Sequence, residues 1–278
     1  MLVAPYVSVV FLTIMAPGMQ SAVTASSSRY SVEALDPGGS GRPARVIISN
    51  LETSRRHMTS INSTLGELRH AVIRADQGRV ILLCENGFAV IDPAGQVPGD
   101  EIYAADPIAS PDGRWIAYKR FFPRTHPAPT DAVAVYDSAQ PPDRNHAAYP
   151  IAAEREWHAG YAVYPPAADW KDASAVTPRE TAHASSSDLM WLGGKEDLLL
   201  AFTVRSGDTD ALVLADPGPD RIEVCTAPLP GSADAWRVKT IDLQKRGNDH
   251  QVTVTSGALD KPPRASFTFA SESCAPGR

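Results

Sequence analysis

The feature that most restricts the fold of this chain is a strand-turn-strand unit that recurs along it. Each copy has an apolar strand, a tight turn, a second short apolar strand, a variable loop and a third apolar strand ending in aspartate. The terminal aspartates Asp92, Asp137 and Asp216 are 45 and 79 residues apart, so the second interval is nearly twice the first. The spacing therefore predicts a degenerate copy between the second and third units. The three clear copies are residues 71–92, 107–137 and 189–216.

Two other parts of the chain show the same pattern of strands and turns. No long segment has apolar residues at helical spacing, and 24 prolines and 19 glycines interrupt the chain every few residues, which favours strands joined by turns. A further copy is predicted over residues 236–269. Near the start, strands at 30–32 and 45–48 flank the turn sequence Asp36-Pro37-Gly38-Gly39.

A repeat of roughly 40 residues with several strands is typical of β-propeller blades. Residues 26–278 would hold about six such blades. We therefore predict an all-β, β-propeller-like fold, irregular or incomplete where the degenerate copy falls. A two-sheet β-sandwich is the structural alternative, since regular short strands with turns fit it too.

The first 25 residues predict export. Met1 to Ala25 contain no Lys, Arg, Asp or Glu, and the apolar run 7–15 has the length of a signal-peptide core. We expect cleavage after Ala25, leaving residues 26–278 as a single domain in the periplasm or outside the cell. Because the n-region of a signal peptide normally contains Lys or Arg and this one has neither, a buried first strand is the alternative. No other stretch approaches the roughly 18 apolar residues of a membrane helix, so no span is predicted in the mature chain.

The charge argues against nucleic-acid binding, and the cysteine and histidine spacing gives no sign of a metal site. Lys and Arg total 26 against 32 Asp and Glu, a net charge of −6, which gives no footprint for nucleic acid. Cys84 ends the apolar run 80–84 and is predicted to be buried, which leaves Cys225 and Cys274 as the disulfide pair. No Cys-x-x-Cys or paired-histidine spacing occurs, so no metal and no cofactor are predicted.

Residues Ser110 to Tyr118 resemble the signature of TolB-like β-propeller repeats, in which a strand ends at a Ser-Pro-Asp-Gly turn before an apolar second strand. Proline suits the second position of that turn because its φ is preset, and glycine at the end accepts a positive φ. The resemblance implies a blade. Members of this class serve as envelope scaffolds, peptidase appendages and binding modules, so it leaves function open.

An aromatic segment is the predicted partner-binding site. Five aromatic residues fall within 22 positions of Pro-rich chain, together with a histidine, and exposed aromatics commonly anchor contacts. The alternative is that they cap the core beside the degenerate blade. The predicted site residues are Tyr149, Trp157, His158, Tyr161, Tyr164 and Trp170.

These features predict an exported, non-enzymatic binding protein whose partner is a protein of the envelope or the extracellular space. It would be an envelope scaffold, or an inhibitor or immunity protein against a secreted toxin. No Gly-x-Ser-x-Gly pentapeptide occurs, and no catalytic residue is predicted. The alternative is a propeller enzyme, lactonase-like or glycan-cleaving, whose residues converge on the central channel.

Overall fold

The computed structural model describes thirteen stretches of the chain, which fall into two compact units, residues 1–114 and 115–278. Within the described stretches there is no α-helix, and no helix there is long and apolar enough to cross a membrane. The described stretches are 23–93, 100–120, 132–139, 146–149, 182–184, 189–194, 198–206, 209–217, 223–231, 239–246, 249–256, 264–270 and 273–276.

The first unit contains two four-stranded antiparallel sheets in which each strand pairs with the next one in sequence. Their orders are β1-β2-β3-β4 and β5-β6-β7-β8, and a further strand, β9, follows β8 in the sequence. A 3-10 turn at Ser63–Leu65 connects the two sheets. The strands are β1 (Thr24–Ser26), β2 (Tyr30–Asp36), β3 (Ala44–Asn50), β4 (Arg55–Ile61), β5 (Leu68–Ile73), β6 (Val80–Cys84), β7 (Gly87–Ile91), β8 (Asp100–Tyr103) and β9 (Ala105–Ala109).

The second sheet is covered on both faces. Every residue of β6 and β7 is buried, although successive side chains of a strand point to opposite faces. One core cluster joins residues of this sheet, among them Leu82 and Ala89, to Val32, Val46 and Ile48 of the first sheet. β9 also packs against β6 and β7. Cover on both faces is typical of a propeller blade between neighbours, and it explains why these strands are continuous apolar runs without alternation.

The Ser-Pro-Asp-Gly turn has the geometry that its sequence predicts. Gly113 donates its backbone N–H to the Ser110 carbonyl at 2.8 Å and has a φ of 68°. The Asp112 carboxylate accepts bonds from the Ser110 hydroxyl at 2.6 Å and from the Arg114 N–H at 3.1 Å. The Asp112 carbonyl accepts the N–H of Ala75 at 2.8 Å, so this turn is tied to the turn that joins β5 and β6.

The β5–β6 turn is itself held by side chains. The Arg74 guanidinium donates to both oxygens of Asp76 and thereby holds the pKa of that carboxyl below its usual value. Asp76 also accepts the N–H of Gly78 at 2.9 Å. Gln77 donates to the Ser28 hydroxyl at 2.8 Å, which connects this turn to the β1–β2 hairpin. The β1–β2 and β5–β6 turns are therefore held to each other by side-chain hydrogen bonds.

The second unit repeats the same construction. β10, β11 and β12 are antiparallel neighbours in that order, β18 to β21 form a four-stranded sheet, and β13-β15-β16-β17 form another with β14 also on β15. The strands are β10 (Trp115–Arg120), β11 (Ala132–Asp137), β12 (His146–Tyr149), β13 (Ala182–Ala184), β14 (Met190–Leu192), β15 (Leu199–Ser206), β16 (Thr209–Ala215), β17 (Glu223–Pro228), β18 (Lys239–Arg246), β19 (Asp249–Ser256), β20 (Arg264–Ala270) and β21 (Ser273–Pro276).

A second core cluster joins the last two sheets. Buried residues such as Leu212 and Leu214 of the β13–β17 sheet pack with Val252, Val254 and Phe267 of the β18–β21 sheet. The members of this cluster lie at alternate positions of β16 and of β19, so one face of each strand enters it. Packing of consecutive sheets through apolar faces thus recurs in both units.

The all-β, β-propeller-like fold is confirmed. The described strands form five small antiparallel sheets built largely from consecutive strands, rather than the two large sheets of a sandwich. Each predicted copy matches a pair or trio of observed strands, and the sequence pattern missed mainly the outer strands β4, β8, β12, β17 and β21. Most of the predicted degenerate copy lies outside the described residues, so the number of blades stays a prediction.

The predicted leader lies almost wholly outside the described residues, which begin at Val23. β1 covers Thr24–Ser26 and pairs with β2, and the carbonyl of Val23 accepts the N–H of Ala34 at 3.0 Å. The predicted cleavage position, after Ala25, therefore falls within β1. The signal peptide and the domain bounds at 26–278 stay predictions.

Candidate interaction surface

The aromatic segment predicted as the binding site lies outside the described residues except for Tyr149. Tyr149 ends β12 and is the register partner of Val133 in β11. The other five residues, from Trp157 to Trp170, lie outside the described part of the chain. The partner-binding role of the segment stays a prediction.

A different surface is described in full at β4, the outer strand of the first sheet. Its first six residues are exposed or half-buried, and Ile61 at its end is buried. β4 pairs with β3 along its whole length, from Asn50 opposite Arg55 to Ala44 opposite Ile61. Within the described part of the chain β4 has no second hydrogen-bonded neighbour. It is therefore an edge strand with solvent-facing side chains.

The hairpin turn between β3 and β4 fixes where this edge begins. The side-chain oxygen of Asn50 accepts hydrogen bonds from the N–H groups of Glu52 and Thr53, both at 3.0 Å. The short side chain of asparagine can reach the backbone N–H groups two and three residues ahead and so stabilise a turn. Leu51 donates its N–H to the Arg29 carbonyl at 2.8 Å, and the Arg29 guanidinium pairs with Glu52 at 3.1 Å. The turn is thereby tied to the start of β2.

The solvent-facing side of this sheet carries one continuous cross-strand row. Glu33, Ile47 and Met58 are successive partners across β2, β3 and β4. Their neighbours Val32, Val46 and Ile48 are buried, which places the row on the opposite face. We call this the outer face.

The outer face and its rim carry two exposed hydrophobic side chains and one arginine. Met58 is 59% exposed, and Leu35, at the register shift in β2, is 48% exposed. Arg56 lies two residues before Met58 on the same strand, with a guanidinium nitrogen 4.0 Å from the Glu33 carboxylate. Because both side chains of that pair are more than half exposed, the pair stabilises the fold little and leaves the arginine available to a partner.

The sequence pattern missed this surface because residues 55–61 show no apolar alternation. Strand prediction depends on side chains that enter a core, and an edge strand with polar side chains lacks them. The three consecutive basic residues Arg55, Arg56 and His57, placed after a turn sequence that follows a clear strand, were the available signal.

The described residues give no arrangement suited to metal chemistry. No group of three His, Cys, Asp or Glu side chains among them is close enough to hold an ion. Cys84 is 2% exposed, as predicted. Burial first, and the charge of Glu101 second, raise the pKa of its thiol to about 12, so Cys84 stays protonated and unreactive at neutral pH.

The predicted disulfide partners lie on strands that contact each other. Cys225 is in β17 and Cys274 is in β21, the last strands of two sheets that share a core cluster. β17 and β21 contact each other directly. The contact brings the two backbones together, as a bridge requires, and the bridge itself stays a prediction.

A thiol titration tests the cysteine assignments. In chain purified after export, without reductant, we expect no thiol to react with a chromogenic disulfide reagent while the protein is folded, because Cys84 is buried and the other two cysteines are bridged. In denaturant one thiol per chain should react, and three after reduction. Three reactive thiols in denaturant without reductant would show that the disulfide prediction is wrong, and one in the folded protein would contradict the burial of Cys84.

Comparison with known proteins gives structural likeness at low sequence identity. No family model matches the chain, and no curated protein sequence matches it. One similar solved structure is the β-propeller domain of the Trilobed protease from Pyrococcus furiosus, at 8% identity and a TM-score of 0.31, covering 92% of this chain and 84% of that one. A eukaryotic initiation factor is similar at 12% identity and a TM-score of 0.37, covering 88% of this chain and 50% of that one.

A third similar structure is dihydro-heme d1 dehydrogenase NirN, at 14% identity and a TM-score of 0.34, covering 90% of this chain and 53% of that one. The chain thus spans about half the length of the initiation factor and NirN chains. At these identities likeness concerns fold alone.

Proposed function

We propose that this chain is an exported, non-enzymatic interaction protein that binds a protein partner of the envelope or the extracellular space. The observation that carries the proposal is the outer face of the first sheet. There Met58 is 59% exposed beside Arg56 on an edge strand. Methionine adapts its shape to irregular surfaces, and arginine is enriched where proteins meet.

The construction of the first unit supports binding at this place. The buried faces of its sheets supply the core, so the outer face contributes nothing to that cluster. Exposed apolar side chains next to charged ones are the usual composition of a contact surface, with an apolar centre and a polar rim. A scaffold in the envelope, or an inhibitor or immunity protein against a secreted toxin, would use such a surface.

The finer assignment to TolB-like repeats is part of this proposal. It is supported by the turn at Ser110–Gly113, where the serine, aspartate and glycine each make the bond or adopt the φ that the signature needs. Export is supported by the uncharged, apolar first 25 residues of the sequence.

A pull-down from envelope extract with the exported chain tests the proposal. We expect one or a few proteins to be retained. Trp157→Ala and Trp170→Ala test the aromatic segment, and Met58→Ser tests the outer face. The matched control for Met58→Ser is Leu51→Ser, because Leu51 is exposed to a similar degree and lies off the outer face. If both tryptophan variants and Met58→Ser retain the same proteins as the native chain, neither surface is the binding site. If the native chain retains no protein, the proposed function is wrong.

A further inference from the structure

The backbone of β4 offers hydrogen-bonding groups along one side. A strand with a single neighbour presents a row of outward N–H and C=O groups to any extended chain that reaches it. In the described part of the protein, β3 takes the inner side of β4 and no strand takes the other. The edge is seven residues long, enough for an added strand of ordinary length.

β4 is held in place at both ends, so a partner would meet a preformed template. At one end the Asn50 side chain closes the hairpin turn. At the other end Ile61 is 2% exposed in the core, and the N–H of Asn62 donates to the Glu101 carboxylate at 2.9 Å. Binding to such an edge does not have to order the strand first, which lowers the entropic cost of association.

The side chains of β4 select the charge of that partner. Arg55, Arg56 and His57 are all exposed, and β4 carries no acidic residue, in a chain whose net charge is −6. Among the described residues no carboxylate lies within 4 Å of Arg55, and Arg56 has only the long contact to Glu33. Two arginines on an open edge oppose pairing with a second copy of the same edge, as natural edge strands do, and attract an acidic segment instead.

We propose that β4 binds an extended, acidic polypeptide segment by strand addition. This inference rests on the proposed function, since it names the chemistry of the partner at the surface described above. Alternate side chains of β4 point to opposite faces, so Arg56 and Met58 share the outer face while Arg55 and His57 share the other. An added strand that alternates acidic and apolar residues would place its acidic side chains beside Arg55 and His57, and its apolar side chains beside Met58 and the aliphatic part of Arg56. Main-chain bonds would supply affinity.

A peptide experiment tests strand addition directly. The probe is a fluorescein-labelled peptide of four Glu-Val repeats, and binding is measured by anisotropy. We expect binding that weakens with salt, at least tenfold weaker binding in the Arg55→Glu/Arg56→Glu variant, and no change beyond twofold in Arg42→Glu/Arg114→Glu. The second pair makes the same charge change at exposed positions off β4. A peptide of four Lys-Val repeats should not bind.

Backbone participation is tested with the same Glu-Val peptide N-methylated at alternate residues, which keeps the charge and blocks one hydrogen-bonding edge. We expect at least tenfold weaker binding of the methylated peptide. Only the unmodified peptide should protect from hydrogen exchange those amides of residues 55–60 that point away from β3. Equal binding of the two Glu-Val peptides, equal loss in both protein variants, or no binding of the unmodified peptide would each overturn strand addition.

The pull-down separates failure of this inference from failure of the proposed function. A protein retained by the native chain and lost only from Arg55→Glu/Arg56→Glu supports the inference. A protein retained equally by that variant overturns the role of β4 and leaves the proposed function standing. No retained protein with any chain contradicts the proposed function itself.

Discussion

Gly87→Ala is expected to destabilise the first unit by about 3 kcal/mol, the upper part of the range for overpacking a closed core. A methyl group at this position would lie 2.1 Å from the carbonyl oxygen of Ile102 and 2.7 Å from a methyl carbon of Leu65. The first of these is backbone of the paired strand β8, which cannot move without breaking the ladder at Gly87 and Tyr103. The change in unfolding free energy is read from urea denaturation followed by far-UV circular dichroism.

Gly41→Ala is the matched control. Gly41 also has a positive φ, of 80°, but a methyl group there meets no atom within 4 Å. It should cost about 1 kcal/mol, the penalty of a left-handed conformation alone. A loss at Gly87 no larger than the loss at Gly41 would mean that the close approach of β7 to β8 does not determine stability.

Phe88→Ala is expected to destabilise the same unit by about 3–5 kcal/mol, since removing a buried aromatic ring loses its transfer free energy and leaves a cavity. Phe88 is fully buried in β7, a strand in which every residue is buried. The matched control is Leu51→Ala, because Leu51 is 52% exposed in the β3–β4 turn and should change stability by about 0.5 kcal/mol or less.

The urea midpoint and its slope are measured for both variants. A Phe88→Ala midpoint that shifts no further than that of Leu51→Ala would contradict cover on both faces of the β5–β8 sheet. That cover is the feature that distinguishes a blade from one layer of a sandwich, so this measurement also tests the fold.

The sequence pattern predicted the buried strand β6 but not the exposed strand β4 that forms the candidate surface. β6 was predictable because its five residues are all apolar and lie between turn signals. β4 was not, because Arg55 to Ser60 are exposed or half-buried and pair with β3 through the backbone, and backbone hydrogen bonds leave no periodic pattern of apolar side chains. Only the fold showed that three basic residues lie on an open edge beside an exposed methionine.

The recurring unit depends partly on local sequence and partly on tertiary structure. Its apolar runs and its Ser-Pro-Asp-Gly turn are local chemistry, so the sequence alone determined that the chain is all-β, that it repeats and that Cys84 is buried. Three features were decided only by tertiary structure: the open edge at β4, the contact of β17 with β21, and the outer strands β4, β8, β12, β17 and β21. They depend on which surfaces meet across long stretches of chain, and the spacing of residues along the sequence does not encode that.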